Sequence, residues 1–183
     1  MEARLLDIEW PEFGSGKTAR TPGTHLTDVI EDLARTSGLH DKDMKWDKHS
    51  TFMAGFLWEE VLAYVLGPLI SPRVGEVCLD GIIGTPDGLC MSDWLVDEYK
   101  FTWKSVNHSP LDNWRYMTQL MGYCKMVGVT QARLWIYHCV GDWKGSGPER
   151  RIWLITFQPH EIEENWAMIR NHAEMMRRKD NAG

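Results

Sequence analysis

Two carboxylates and a lysine at strand spacing are the part of this 183-residue chain best suited to chemistry. Asp87 stands in Gly84-Thr85-Pro86-Asp87-Gly88, a tight-turn sequence after a strand-like run, and Asp97-Glu98-Tyr99-Lys100 begins ten residues later. The stretch Trp94–Trp103 alternates as a strand does. Residues i and i+2 of a strand share a face, so Glu98 and Lys100 are neighbours while Asp97 and Tyr99 face away. Asp87 and Glu98 meeting from adjacent strands, with the backbone carbonyl of Tyr99 at one edge, make a site for a hard cation such as Mg²⁺ or Mn²⁺. A lysine beside that cation can orient or deprotonate an attacking water and help neutralise a phosphate. These are the parts needed for metal-assisted phosphodiester hydrolysis. Taken singly, Pro-Asp-Gly is a common turn tripeptide and Glu98–Lys100 an ordinary surface ion pair. The spacing, the placement on strands and a glutamate on the preceding helix argue for a site.

That glutamate lies in Gly55-Phe56-Leu57-Trp58-Glu59-Glu60. The helix expected from His49 to Leu66 is apolar nearly all round and therefore reads as buried, and a buried carboxylate needs a partner or a metal. At 100° per residue Glu59 shares a face with Phe52, Phe56 and Ala63, while Glu60 lies between Met53 and Tyr64. Helical geometry leaves both open, and Glu59 is the preferred candidate. A later helix, from about Pro110 to Val127, places Arg115, Gln119 and Tyr123 on one polar stripe, opposite a core-like stripe of Leu111, Trp114, Met117, Met121 and Cys124. Gln119 and Tyr123 can hydrogen-bond DNA and orient the lysine.

Glu59, Pro86-Asp87, Glu98-x-Lys100 and Gln119-xxx-Tyr123, in this order over residues 49–140, resemble the RecB-like branch of the PD-(D/E)XK nuclease superfamily. The resemblance implies an α/β fold with a restriction-endonuclease-like core: a mixed central β-sheet flanked by helices in αβββαβ order, as one domain over 1–183. It further implies one or two Mg²⁺ (or Mn²⁺) held by Glu59, Asp87 and Glu98, with Lys100 as catalytic lysine and Gln119 and Tyr123 as active-site supports. The activity it implies is a metal-dependent exonuclease acting on DNA ends or single strands, in recombination, repair or phage DNA processing. The alternatives are a flap- or junction-selective endonuclease and a non-catalytic DNA-end-binding module. The compact stand-alone form resembles nucleases of phages and mobile elements, which would place it in the host cytoplasm. A single-strand annealing or replication protein would be the further partner.

The elements that must position these residues follow from local patterns. Residues 1–23, rich in Gly, Pro and charge, read as an extended arm. Thr24 or Thr27 can cap a helix ending at Gly38 with Leu26, Val29, Ile30 and Leu33 as its apolar face, and 40–48 reads as a loop. Strands are expected around 74–84, 92–103, 132–139 and 151–157, with a Gly-rich hairpin loop at 141–147 and an amphipathic helix over 160–178.

Composition bounds the rest. Hydrophobic residues make up 43% and charged residues 25%, so the chain is neither disordered nor built to span a membrane. The net charge of −6 is unevenly spread. Residues 1–98 carry eight Lys and Arg against eighteen Asp and Glu, and residues 99–183 carry twelve against eight. The basic half offers Lys104, Arg115, Lys125, Arg150 and Arg151 as phosphate contacts, with Gln119 and Tyr123. Cys78, Cys90, Cys124 and Cys139 show no CxxC spacing and read as reduced, mostly buried thiols. The ten tryptophans read mostly as core, with Trp103 and Trp143 as candidates for base stacking. Gly14-Ser-Gly-Lys-Thr18 resembles the end of a P-loop, but Pro11 stands where that motif requires glycine, so it reads as an arm.

Overall fold

The computed structural model describes residues 20–39, 54–61, 64, 75–90, 92–145 and 147–180. The P-loop-like segment, the loop at 40–48 and most of the arm lie outside them. Helix α1 (Leu26–Thr36) follows a two-residue strand, β1 (Thr24–His25). His25 holds the N-cap without a side-chain hydrogen bond, so neither Thr24 nor Thr27 caps the helix. Thr24 is taken up by the strand, and Thr27 lies one residue inside the helix. Its buried face is Leu26, Val29, Ile30 and Ala34, with Leu33 half-buried.

Helix α2 is described at 54–61 and 64, and the expectation that it is buried all round does not hold. Leu57, Val61 and Tyr64 are 58%, 49% and 90% exposed. They recur at i, i+4 and i+7 and form one face turned outward. The adjoining side, through Trp58, leans on the sheet, with its ring 4.7 Å from that of Tyr137.

The expected strand at 74–84 is a hairpin, β2 (Val77–Leu79) and β3 (Ile82–Gly84), turning at Asp80 and Gly81, both with positive φ. Strand β1 pairs parallel with β3, so a small sheet of order β1-β3-β2 stands apart from the four-stranded sheet. That larger sheet has the order β4-β5-β6-β7: β4 (Gly88–Cys90), β5 (Leu95–Thr102), β6 (Gln131–His138) and β7 (Glu149–Thr156). Strands β5 and β6 run parallel and their neighbours antiparallel, so the sheet is mixed. A parallel pair needs a crossover, and α3 (Trp114–Val127) supplies it.

Helix α3 starts later than the apolar pattern suggested. Pro110–Asp112 is a 3₁₀ turn capped by Ser109, and the α-helix proper begins after Asn113, whose side chain accepts from the Tyr116 amide. Leu111 therefore stays outside the helix and is 60% exposed instead of packing in the core. Gly128, at φ 78°, ends α3 in the left-handed conformation that glycine adopts without strain. The last helix, α4 (Pro159–Asp180), opens with Pro159, and Glu161 folds back to accept from the Gln158 amide at 2.7 Å.

The core lies between the helices and one face of β5 and β6. Val96, Ala132, Leu134 and Ile136 from the strands meet Leu26 and Val29 of α1, Leu120 and Cys124 of α3, and Trp166 and Ile169 of α4. Gly122 permits that three-helix contact, because a Cβ there would sit 3.0 Å from Leu26 Cδ2. Both sides of α3 are thereby occupied, and Tyr123, expected on a polar stripe, is only 2% exposed. Of the cysteines only Cys124 is buried, since Cys78 is exposed and the other two are intermediate. Among the eight described tryptophans only Trp166 is buried, five are half-buried, and Trp94 and Trp143 are exposed. An indole is large enough to pack deeply while keeping one edge in water.

Candidate active site

Strand β5 carries two of the candidate residues, and its alternation sets up the site. Glu98 and Lys100 point toward α3, whereas Asp97 and Tyr99 point through the opposite face. Strand β4 brings Gly88 level with Asp97, so the preceding Asp87 arrives beside Glu98. Asp87 is anchored there by the Tyr99 amide, which donates to its Oδ2 at 2.7 Å. The amide and carbonyl of one strand residue leave on the same edge, so the Tyr99 carbonyl lies on the Asp87 side as well. Gly84 makes this approach possible. A Cβ at that position would stand 2.6 Å from Met126 Sδ and 3.1 Å from Tyr123 Cε1. The turn carrying Asp87 therefore runs close against α3.

Glu59, Asp87, Glu98, Lys100, Gln119 and Tyr123 all line one cavity of about 350 Å³. Glu59 is half-buried and faces it, while Glu60 is exposed and does not line it. Glu98 is 2% exposed. Lys100 donates to its Oε1, and its Oε2 is buried with no hydrogen-bond partner. Burial first, and then the negative charge of Asp87, push the Glu98 carboxyl well above the usual carboxylate range. Burial alone would pull the Lys100 ammonium down, but Glu98 and then Asp87 outweigh it and hold the lysine protonated. Tyr123 is raised by burial and then by Glu98, so its phenol is neutral. Gln119 Nε2 donates to the Tyr123 hydroxyl at 3.1 Å, leaving the tyrosine O–H to donate onward.

An ionised Glu98 with an empty lone-pair direction, facing Asp87, is unstable by itself and is relieved by a cation. The donor set is all oxygen and suits Mg²⁺ or Mn²⁺. Among the described residues, no three His, Cys, Asp or Glu side chains are grouped so that they could hold a metal ion between them. Glu59, Asp87 and Glu98 instead share the lining of one open cavity.

The basic candidates separate in space. Arg115 stands at the edge of the site in an ion pair with Glu31 at 3.0 Å. Lys104 is exposed beyond the end of β5 and is not among the residues lining the described cavities. Lys125 points the other way, to Glu163 of α4 at 2.5 Å. Arg151 pairs with Glu149 and donates to the Val106 carbonyl, whereas Arg150 is exposed. Trp103 is half-buried against Phe101, with their rings 5.8 Å apart, and Trp143 is 59% exposed in the β6–β7 loop.

Arg20, His25, Thr27 and Thr85 also line the cavity, and none was singled out from the sequence for this role. Arg20 Nη2 donates to Thr27 Oγ1 at 3.0 Å, and His25 Nε2 lies 2.8 Å from the Thr21 carbonyl. A two-residue strand leaves no periodic trace, so nothing local marks Thr24–His25 as the partner of Ile82–Ile83. The signal that was available is the short polar run before an apolar helix, which must pass near whatever that helix packs on.

A mixed sheet with α3 as the crossover between its two parallel strands is a fold of the restriction-endonuclease type. Among solved structures, the chain is similar to a phage-related exonuclease from Haemophilus somnus 129PT, with a TM-score of 0.54 and 12% identity, over 84% of this chain and 82% of that one. It is also similar to LHK-Exo, an alkaline exonuclease from Laribacter hongkongensis solved in complex with dAMP. There the TM-score is 0.51 at 14% identity, over 87% of this chain and 94% of that one. At these identities the likeness establishes the fold. No family model matches the sequence, and no curated protein matches it.

Proposed function

We propose that this chain is a divalent-metal-dependent DNA nuclease that removes nucleotides from DNA ends. The observation that carries the reading is the buried Glu98 oxygen without a partner, in a cavity shared with Asp87, Glu59 and Lys100. The exonuclease neighbours, one of them holding a mononucleotide, support action at ends in preference to internal sites.

Glu59, Asp87 and Glu98, with the Tyr99 carbonyl, would hold Mg²⁺ or Mn²⁺. Such an ion, when bound, acidifies water and neutralises charge on the phosphate. The protein's own groups perform the remaining tasks. Tyr99 fixes the Asp87 carboxylate through its amide. Lys100, kept protonated by its acidic neighbours, donates to the attacking water or to a phosphate oxygen; in this state it orients and does not act as the base. Gln119 orients the Tyr123 hydroxyl toward the same cavity, which Arg20 and Thr27 also line. DNA is the partner that this donor set fits, and Lys104 is a cationic approach to it from beyond the end of β5.

The test is digestion of 5′- and 3′-labelled single-stranded, duplex and flapped DNA in Mg²⁺, in Mn²⁺ and in EDTA. Stepwise mononucleotide release that needs the metal and disappears in Glu98→Gln and Lys100→Ala is the expected result. Internal cuts at a flap would replace the exonuclease with a structure-selective endonuclease. Metal-dependent binding with no cleavage under either ion would leave only an end-binding module.

A further inference from the structure

A second cavity, of about 240 Å³, opens beside the first. It shares Thr27, Lys100 and Gln119 with the catalytic cavity and adds Ile30 and Glu31 from α1 and Arg115 and Tyr116 from α3. Lys100 therefore stands in the wall between the two, with its Nζ 5.8 Å from the centre of the Tyr116 ring. A group seated in the side chamber would be attached within one nucleotide of a phosphate held at Lys100.

The lining of the chamber narrows what that group is. Ile30 and Tyr116 come from different helices and offer apolar and aromatic surface. Arg115 gives Nη1 to Glu31 Oε2 at 3.0 Å, while its Nη2 is buried with no acceptor. A buried N–H without a partner is costly, and a ligand acceptor relieves it. A phosphate would meet that nitrogen but would also bring its charge against the Glu31 carboxylate. A nucleobase avoids the conflict, because every base carries an acceptor beside an N–H donor on its pairing edge. The acceptor can face Arg115 Nη2, and the donor can face Glu31.

The geometry points to the side chamber as the subsite for the base of a nucleotide adjoining the scissile phosphodiester, with Tyr116 as its stacking surface and the Arg115–Glu31 pair on its edge. The assignment rests on the nuclease reading. Since all four bases offer such an edge, the subsite senses that a base is present more than which base it is.

Oligonucleotides carrying one tetrahydrofuran abasic unit at successive positions from the degraded end, digested in Mg²⁺, test it. Wild-type protein is expected to slow roughly tenfold or more when the abasic unit reaches one defined position beside the scissile bond, the loss that follows removal of a stacked base. Tyr116→Ala is expected to degrade intact DNA more slowly by a similar factor and to show no further pause at the abasic unit. Tyr116→Phe, which keeps the ring, should behave as wild type and so separates stacking from folding. A wild type that cleaves DNA but ignores the abasic unit overturns the subsite alone. So does an Arg115→Gln variant slowed equally on intact and abasic units, which would mark a phosphate site. A wild type that cleaves no DNA takes the nuclease reading down together with the subsite.

Discussion

Asp97 and Glu98 are consecutive residues of one strand, both carboxylates, and 0% and 2% exposed, yet they have opposite surroundings. On the outer face of the sheet, Asp97 accepts from Arg133 Nε at 2.6 Å, from Arg133 Nη2 at 2.8 Å and from Trp135 Nε1 at 2.7 Å. Arg133 is its register partner on β6, so this forked pair ties the two central strands together. On the inner face Glu98 has one ammonium on one oxygen and nothing on the other, with Asp87 adding a like charge. Burial alone does not mark a functional carboxylate. A buried carboxylate whose lone pairs are all satisfied is structural, and one that the fold leaves incomplete awaits a ligand.

The contrast can be broken most severely by exchanging the two residues' fates. Glu98→Gln should lower nuclease turnover by roughly two to three orders of magnitude or more, the scale seen when one electrostatic group aimed at the reacting centre is lost. It should move the melting temperature less than the loss of Asp97 does, because Gln keeps an acceptor for Lys100 and Asp87 still offers the ammonium a counter-charge. A Glu98→Gln protein that cleaves like wild type would end the assignment.

Asp97→Ala should do the reverse. It leaves Arg133 half-buried without its counter-charge and should cost about 3–5 kcal/mol of stability, read from urea or thermal unfolding. Replacing Arg133 as well, with an apolar residue, should recover part of that loss, and additive losses would show that the pair is not coupled.

Metal addition sharpens the comparison further. Mg²⁺ at about 100 times its dissociation constant should stabilise the wild-type protein by about 2.7 kcal/mol through preferential binding to the folded state. Thermal melts with and without EDTA should show the shift in wild type but not in Glu98→Gln. An equal shift in both proteins would place the ion elsewhere.

The smallest effect belongs to a third carboxylate, Asp32 of α1, bonded by Arg35 and, at 2.9 Å, by His172 of α4. The Arg35 hydrogen bond, and then that of His172, hold Asp32 below its ordinary value. Its contribution is therefore complete above the ordinary carboxylate range near pH 4 and is lost as the pH falls below it. Asp32→Asn should remove under about 1 kcal/mol, the scale of a largely solvated pair, and should flatten that acid limb of the stability profile.

Much of the site is legible in the sequence because its carriers have short periods. Strand alternation places Glu98 with Lys100, helical spacing places Gln119 with Tyr123, and Pro-Asp-Gly marks the turn that delivers Asp87. The failures share a cause, since each needed knowledge of what an element packs against. The apolar pattern around α2 suggested burial, but only one side of that helix meets the sheet. Tyr123 looked like part of a polar stripe, but it packs against Gly84 of β3 and is buried. Lys125 looked like a phosphate contact, but it sits under α4 beside Glu163.

By itself, then, the sequence determined the α/β class, the order of the chemical groups and their shared faces, because these depend on dihedral periods of two and 3.6 residues. Tertiary structure alone decided that β1 joins β3 and so carries Arg20 and Thr27 to the cavity, that Arg115 meets Glu31 beside Tyr116, and that of two adjacent buried carboxylates only Asp97 is satisfied. Those outcomes rest on contacts between residues distant in the chain, where a hydrogen bond made or missed leaves no local pattern.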